Sequence, residues 1–157
     1  KTLLGQLEEI QLPGIKAKKS ESKALVMMMT INLPSGGFEG MTGKMKFNSV
    51  YPELIEEFGD PFTAKRVQYR GNLEAHESSG KIGEVSVVAY MTIRFNDVLP
   101  SITLKQHENP EQESDFDCTY YRLEIDGVRM VEIDAFTNTF FVKDKDVLLN
   151  YRIHLGY

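Results

Sequence analysis

The chain of 157 residues contains no tryptophan, one cysteine and three histidines. Each scarcity removes a class of chemistry. The lone Cys118 cannot form an internal disulfide, which fits a reducing cytoplasm, and it reads as a small strand residue rather than a nucleophile. His76, His107 and His154 stand apart from one another, so no pair has metal-ligand spacing, and neither metal nor cofactor is expected. No Gly-x-Ser-x-Gly elbow is present, which leaves serine hydrolysis without its usual frame. The absence of tryptophan weakens a sugar-binding reading. No apolar run approaches the roughly 20 residues needed to cross a bilayer, so no stable membrane association is expected. The opening Lys-Thr-Leu-Leu-Gly has no long apolar region and no small-residue cleavage site, so no signal peptide is expected, and the missing Met points to a trimmed start.

What is present is ordinary for a folded domain. Hydrophobic residues make up 41% and charged residues 26%. The length suits one domain, 1–157, with its own core. The net charge of −5 gives no attraction to nucleic acid on an outer surface, but it is compatible with DNA sliding past without sticking.

Alternation carries most of the secondary-structure signal. Leu3–Leu12 alternates unevenly up to Pro13-Gly14, a turn signal that predicts a first strand. Ile15–Lys23 is polar and reads as a solvated strand end or loop. Leu25-Val26-Met27-Met28-Met29 follows without alternation, so an extended segment here would be apolar on both faces. Such a run is either a buried core strand or a surface covered by a neighbouring subunit, where unbranched Met adapts well. Ser35–Gly43 is glycine-rich and reads as a flexible turn. Gly43-Lys44 fails as a phosphate loop, having Phe38 five positions before and Met45 after the lysine. Met45 and Phe47 alternate with Lys44 and Lys46 as a half-exposed strand. Tyr51, Leu54, Ile55 and Phe58 share one helical face, Pro52 suits the first helical position, and Gly59 before Asp60-Pro61 can adopt a left-handed cap.

Two long strands come next. Val67, Tyr69, Gly71, Leu73 and Ala75 oppose Arg66, Gln68, Arg70, Asn72 and Glu74. After a loop at 77–80, Val85, Val87, Ala89, Met91, Ile93 and Phe95 oppose Ser86, Val88, Tyr90, Thr92 and Arg94. The segment near 97–114 reads as a long polar loop with a short extended piece at Ile102 and Leu104. Its carboxylates Glu108, Glu111, Glu113, Asp115 and Asp117 form either a solvated acidic loop or a general acid–base pair. Cys118–Asp134 reads as a β-hairpin. Asp126-Gly127 is a two-residue turn tolerant of positive φ. That turn sets Ile125 opposite Val128, Glu124 opposite Arg129 and Leu123 opposite Met130. Tyr121, Leu123, Ile125, Val128 and Met130 would then share an apolar face. Thr139–Val142 is a further short strand, and Asp144–Tyr151 is open between loop and helical turn. The predicted fold is mainly β: an antiparallel sandwich or partly open barrel with one short α-helix.

The string Tyr-Tyr-Arg-Leu-x-x-Asp-Gly-x-x-x-Val-Glu-Ile-Asp over 120–134 resembles the end of the major tail tube protein of P2-like contractile-tailed phages. It is similar to the tube proteins of R-type bacteriocins as well. Ile10-Gln11-Leu12-Pro13, the helix at Val50–Phe58 and the closing Leu149–Tyr157 follow in the family's order. The segment Asp97–Gln112, with Pro100 and Asn109-Pro110, departs from the more Gly-rich loop of the phage proteins.

The resemblance implies a structural role and no enzyme activity. Six subunits would form a ring, and rings would stack into a hollow tube inside a contractile sheath, forming a conduit through the target cell envelope. Implied partners are further copies of the chain, the sheath protein, baseplate or tube-initiator and terminator proteins, and DNA in transit without specific binding. The protein would be made in the bacterial cytoplasm and leave the cell in a phage tail or phage-tail-like particle. A region near 16–37 would act as a flexible assembly loop. Leu25, Val26, Met27, Met28 and Met29 are the candidate subunit interface. Arg66, Gln68, Arg70, Asn72 and Glu74, or Ser86, Tyr90, Thr92 and Arg94, are candidates for the lumen, which is expected to be acidic overall. Asp126 and Gly127 are the structural turn. The competing reading is a monomeric β-sandwich that binds a small ligand or performs hydrolysis.

Overall fold

A computed structural model of the chain describes residues 3, 5–22 and 31–156. Its organising strand is β8 (Glu111–Ile125), which uses each of its two edges twice. On one edge, β8 pairs near its start with β7 (Ser101–Thr103) and along its length with β6 (Gly80–Phe95). On the other edge it pairs first with β4 (Met41–Phe47), then with β9 (Val128–Asp134). Beyond these lie β5 (Lys65–Glu77) outside β6, β1 (Leu7–Gly14) outside β4, and β10 (Thr139–Val142) and β11 (Lys145–Asp146) outside β9. All pairings are antiparallel, and the nine-stranded sheet is not closed. The fold is therefore mainly β and antiparallel, as the alternation predicts. Among the described residues it carries two short helices, α1 (Pro52–Phe58), which the sequence predicts, and α2 (Leu149–His154).

A one-residue bulge makes the double use of β8 possible. Cys118 stands opposite Ile93 and Tyr120 opposite Thr92, which leaves Thr119 as the extra residue. Its carbonyl accepts from Ala135 N–H at 3.0 Å, and its Oγ1 lies 3.4 Å from the Thr92 carbonyl. An extra residue in a strand of period two exchanges its faces. Gln112, Ser114, Phe116 and Cys118 are buried before the bulge, and Tyr121 after it. The inward set thus moves from even to odd numbers at the point where the partner changes from β4 to β9.

The core lies on one face of the sheet. Met41, Met45, Phe47, Ala89, Met91, Ile93, Phe95, Phe116, Cys118 and Tyr121 form it together with Leu54 and Phe58 from α1. A helix of 7 residues is too short to stand alone. Phe58 docks it, with ring centroids 5.9 Å from Phe47 and 4.1 Å from Phe95. Burying a Phe or Leu of this kind is worth about 1.5–3 kcal/mol per side chain. At the start of α1, Tyr51 N–H donates to the buried Gln112 Oε1 at 3.3 Å, tying the helix to β8.

Several expectations are corrected. Pro13-Gly14 does not end the first strand: β1 runs through Gly14 because it is an edge strand, where a missing N–H costs no ladder bond. The polar stretch after Ile15 forms β2 (Ala17–Ser22), paired with β3 (Ile31–Phe38) as a separate two-stranded arm. That arm takes in Gly36 and Gly37, so the glycine-rich turn shrinks to Glu39 and Gly40. The run Leu25–Met29 lies outside the described residues. Gly59 has φ −62°, so α1 ends without a left-handed cap. The polar loop is shorter than its composition suggests, since residues 111–114 open β8. Asp144–Tyr151 divides between β11 and α2.

Asp126 and Gly127 lie between β8 and β9 with φ 52° and 74°. Ile125 faces Val128 and Glu124 faces Arg129 as expected, but a second bulge then sets Leu123 opposite Val131. Met130 is therefore not Leu123's partner, and the inward residues of β9 beyond the bulge are Val131 and Ile133. Across this bulge Arg129 Nη1 donates to Glu132 Oε2 at 2.7 Å.

Gly43 gives a direct test of this packing. It stands opposite Phe116, and a Cβ built on it would lie 2.4 Å from Phe116 Cζ and 2.6 Å from the Gln11 carbonyl oxygen. The Phe116 ring occupies the space a side chain would need. Gly43→Ala is expected to lower unfolding stability by about 1–3 kcal/mol, the usual cost of overpacking. A denaturation midpoint equal to that of the parent would contradict the arrangement.

Candidate functional site

The face of the sheet opposite the core is polar and one continuous surface. Register builds it in rows. One row is Arg66, Thr92, Tyr120 and Asp134; the next is Gln68, Tyr90, Arg122 and Glu132; a third is Arg70, Val88, Glu124 and Arg129. Lower down, Arg94 stands opposite Asp117. Arg66, Gln68, Tyr90, Thr92, Arg94, Tyr120, Arg122 and Asp134 line a concavity of about 830 Å³. The two sets offered as alternatives from sequence are thus one surface. Asn72, Glu74 and Ser86 continue it onto the end of the β5–β6 hairpin, beyond the last β6–β8 pair at Val87 and Ile125.

Hydrogen bonds and charge pairing fix the β8–β9 half. Arg122 Nη2 lies 2.5 Å from Glu124 Oε1. Glu132 accepts from Arg129 at 2.7 Å and from Tyr120 Oη at 3.2 Å. Burial pushes the Tyr120 phenol up, and the Glu132 carboxylate adds to that shift. Arg129 also lies over the Phe141 ring, 4.6 Å from its centroid. At the hairpin end, Lys81 bridges Glu74 and Glu84, and His76 Nε2 lies 3.2 Å from Glu74. The face mixes Arg66, Arg70, Arg94, Arg122 and Arg129 with Glu74, Asp117, Glu124, Glu132 and Asp134, and is not acidic overall as expected of a lining.

The carboxylates read as an acidic loop resolve differently. Glu111, Glu113 and Asp115 sit on β8 against the lysines of β4. Lys46 Nζ lies 3.2 Å from Glu111 and 3.7 Å from Glu8; Lys44 Nζ lies 3.6 Å from Glu113 and 3.9 Å from Asp115. The hydrogen bond that Lys46 donates to Glu111 leads in raising the Lys46 ammonium pKa. These are cross-strand pairs, screened by solvent. Among the described residues, no three His, Cys, Asp or Glu side chains converge to hold a metal.

Sequence reading missed Tyr120, Arg122, Glu132 and Asp134 as part of this surface. The signal was there: Tyr120, Arg122 and Glu124 alternate with Tyr121, Leu123 and Ile125. Which strand lay beside the hairpin was not contained in the local pattern.

The profile of the family described as Phage tail tube protein FII matches residues 1–156. No curated protein matches the chain.

Cys118 lies under this face, on the core side. Its thiol donates to the Tyr120 carbonyl at 2.8 Å, and burial pushes its pKa up to about 12. The reactive species is the thiolate. Alkylation of the folded chain at pH 8 should run roughly 10³-fold slower than that of a free thiol of pKa ~8.5. Denaturant should restore the ordinary rate. Fast alkylation of the native protein would show that Cys118 is neither buried nor inert.

Proposed function

The chain belongs to the phage tail tube protein FII family, and from that premise we propose that it forms hexameric rings whose polar sheet face lines the bore of the tube. Tail tube subunits are structural proteins that self-assemble, associate with other tail components and form part of the virion. The observation that carries the proposal is the division of the sheet: one face is core, covered by α1, and the other is a continuous polar surface. A water-filled channel needs such a wall. With that face inward, α1 lies on the outer side, towards a surrounding sheath.

Strand edges support the ring. β5 is 13 residues long and, among the described residues, pairs only with β6, which leaves its outer edge open there. β1 and β11 end the sheet on the other side. Open edges invite pairing with another chain, and closure of a barrel across subunits removes them. The rings would then stack inside a sheath that drives the tube through the target cell envelope. Baseplate or initiator proteins would set its start and a terminator its length. The residues 1–157 would act as one tail-tube domain, with the arm spanning 16–37 as its assembly element. Leu25–Met29 would be the apolar contact with a neighbouring subunit.

The test combines assembly with one substitution. Concentrated protein viewed by negative-stain microscopy should show rings or tubes. Met28→Lys should leave the circular dichroism spectrum of the subunit unchanged and abolish assembly. A lone buried ammonium costs several kcal/mol at each repeated contact. A substitution that unfolds the subunit would place Met28 in the core. Normal tubes from the variant would remove it from any interface.

A further inference from the structure

A second cavity, of about 300 Å³, lies where the β2–β3 arm leaves the rest of the fold. Gly36–Met41 wall it on the arm side. On the other side β9, β10 and α2 wall it through Ile133, Phe140, Leu148 and Tyr151. Three of the lining residues are aromatic: Phe38, Phe140 and Tyr151. The Phe38 and Phe140 rings meet at 84° with centroids 5.1 Å apart. In such an edge-to-face contact one ring turns only its edge to the other, so its own faces are not spent on the pair. The charged residues of the lining are Glu39 and Asp134, and no described Lys, Arg or His belongs to it. Lys18 of the arm lays its stem on Gly37, with Cδ 3.2 Å from where a Cβ would sit, without joining the lining.

We infer that this cavity is a binding site for a small aromatic amine. Its volume stands at the lower end of the ~300–1,000 Å³ range of ligand sites, so one or two fused rings suit it. Aromatic faces attract a cation held within ~6 Å of the ring centroid. A lining with two carboxylate residues and no base adds to that attraction and opposes an anion. Phe38, Phe140 and Tyr151 then serve both parts of the guest, the flat ring by stacking and the ammonium by its charge. A guest in this space touches the arm and the rest of the fold at once, so an occupied site ties the two together. The inference goes beyond the function proposed above and does not depend on it.

The test is a titration of the free subunit, followed by the NMR shifts of its backbone amides. The probes are tryptamine, indole and indole-3-acetate, which carry one ring system with a positive charge, none and a negative charge. Tryptamine should shift the amides of Gly37, Gly40, Ile133 and Phe140. It should bind about tenfold more tightly than indole, the worth of one partly desolvated cation–π contact. Indole-3-acetate should bind most weakly. Phe140→Leu and Tyr151→Leu each remove a ring and keep apolar volume, and should weaken tryptamine binding by roughly threefold or more while indole changes less. Tyr151 is half-exposed, so its variant tests the site even where Phe140→Leu unsettles the fold. Phe62→Leu, at an exposed ring outside the cavity, should change nothing. Hydrogen exchange in β2 and β3 should slow at saturation. No shift at the cavity residues with any probe, or parental binding by both ring variants, would overturn the site. Indole or indole-3-acetate binding as tightly as tryptamine would overturn the amine assignment. Tryptamine shifts scattered over the surface and lost by ~150 mM salt would reduce the binding to attraction by the net charge of −5. Unchanged exchange in β2 and β3 at saturation would refute the tie between the arm and the rest of the fold.

Discussion

Every layer of the molecule depends on β8 satisfying four strands with two edges. A flat strand offers each edge once along its length. Here the bulge at Thr119 turns the strand where β4 ends and β9 begins, and anchors the change through the Ala135 N–H bond. Loss of a buried ladder hydrogen bond costs about 1–3 kcal/mol, so a strand switch without such an anchor would be unstable. The same bulge exchanges inward and outward residues, which lets Phe116 and Tyr121 both face the core despite their odd separation.

The separation of faces follows from this geometry. Phe47 and Phe95 gather beneath Phe58 of α1, and the helix covers only the side where these rings lie. The opposite side keeps the arginines, carboxylates and tyrosines of β5, β6, β8 and β9. A sheet with one dry face and one wet face, and with a long strand at its border that pairs on one edge only among the described residues, satisfies its backbone most fully beside another copy. Rigidity comes from the same source, because the polar face is carried on strands rather than on loops.

The parts of this fold written in local pattern were legible. Alternation in 65–77 and 80–95 marked both long strands and both faces, and Asp126-Gly127 marked its turn. The parts that depended on long-range pairing were not. Pro13-Gly14 looked like a terminator because its edge position could not be known from neighbours in sequence. Glu111–Asp115 looked like a loop because its polar residues face the lysines of β4, some seventy residues earlier in the chain. The candidate site was half legible for the same reason: β5 and β6 announced their polar sides, but only β8 shows that these sides are one surface continued by Tyr120 and Arg122. The two bulges, at Thr119 and beside Arg129, left no mark in the alternation strong enough to set register.

The central claim is that the polar face of β5, β6, β8 and β9 looks onto the axis of a tube while α1 lies outside. Electron cryomicroscopy of assembled tubes with helical reconstruction measures this directly, since it gives each side chain a radius. The account predicts Gln68, Tyr90 and Arg122 at the inner wall and the solvent side of α1, with Glu53 and Glu56, at greater radius. A reconstruction with Gln68, Tyr90 and Arg122 on the outer surface, or buried between subunits, would contradict it.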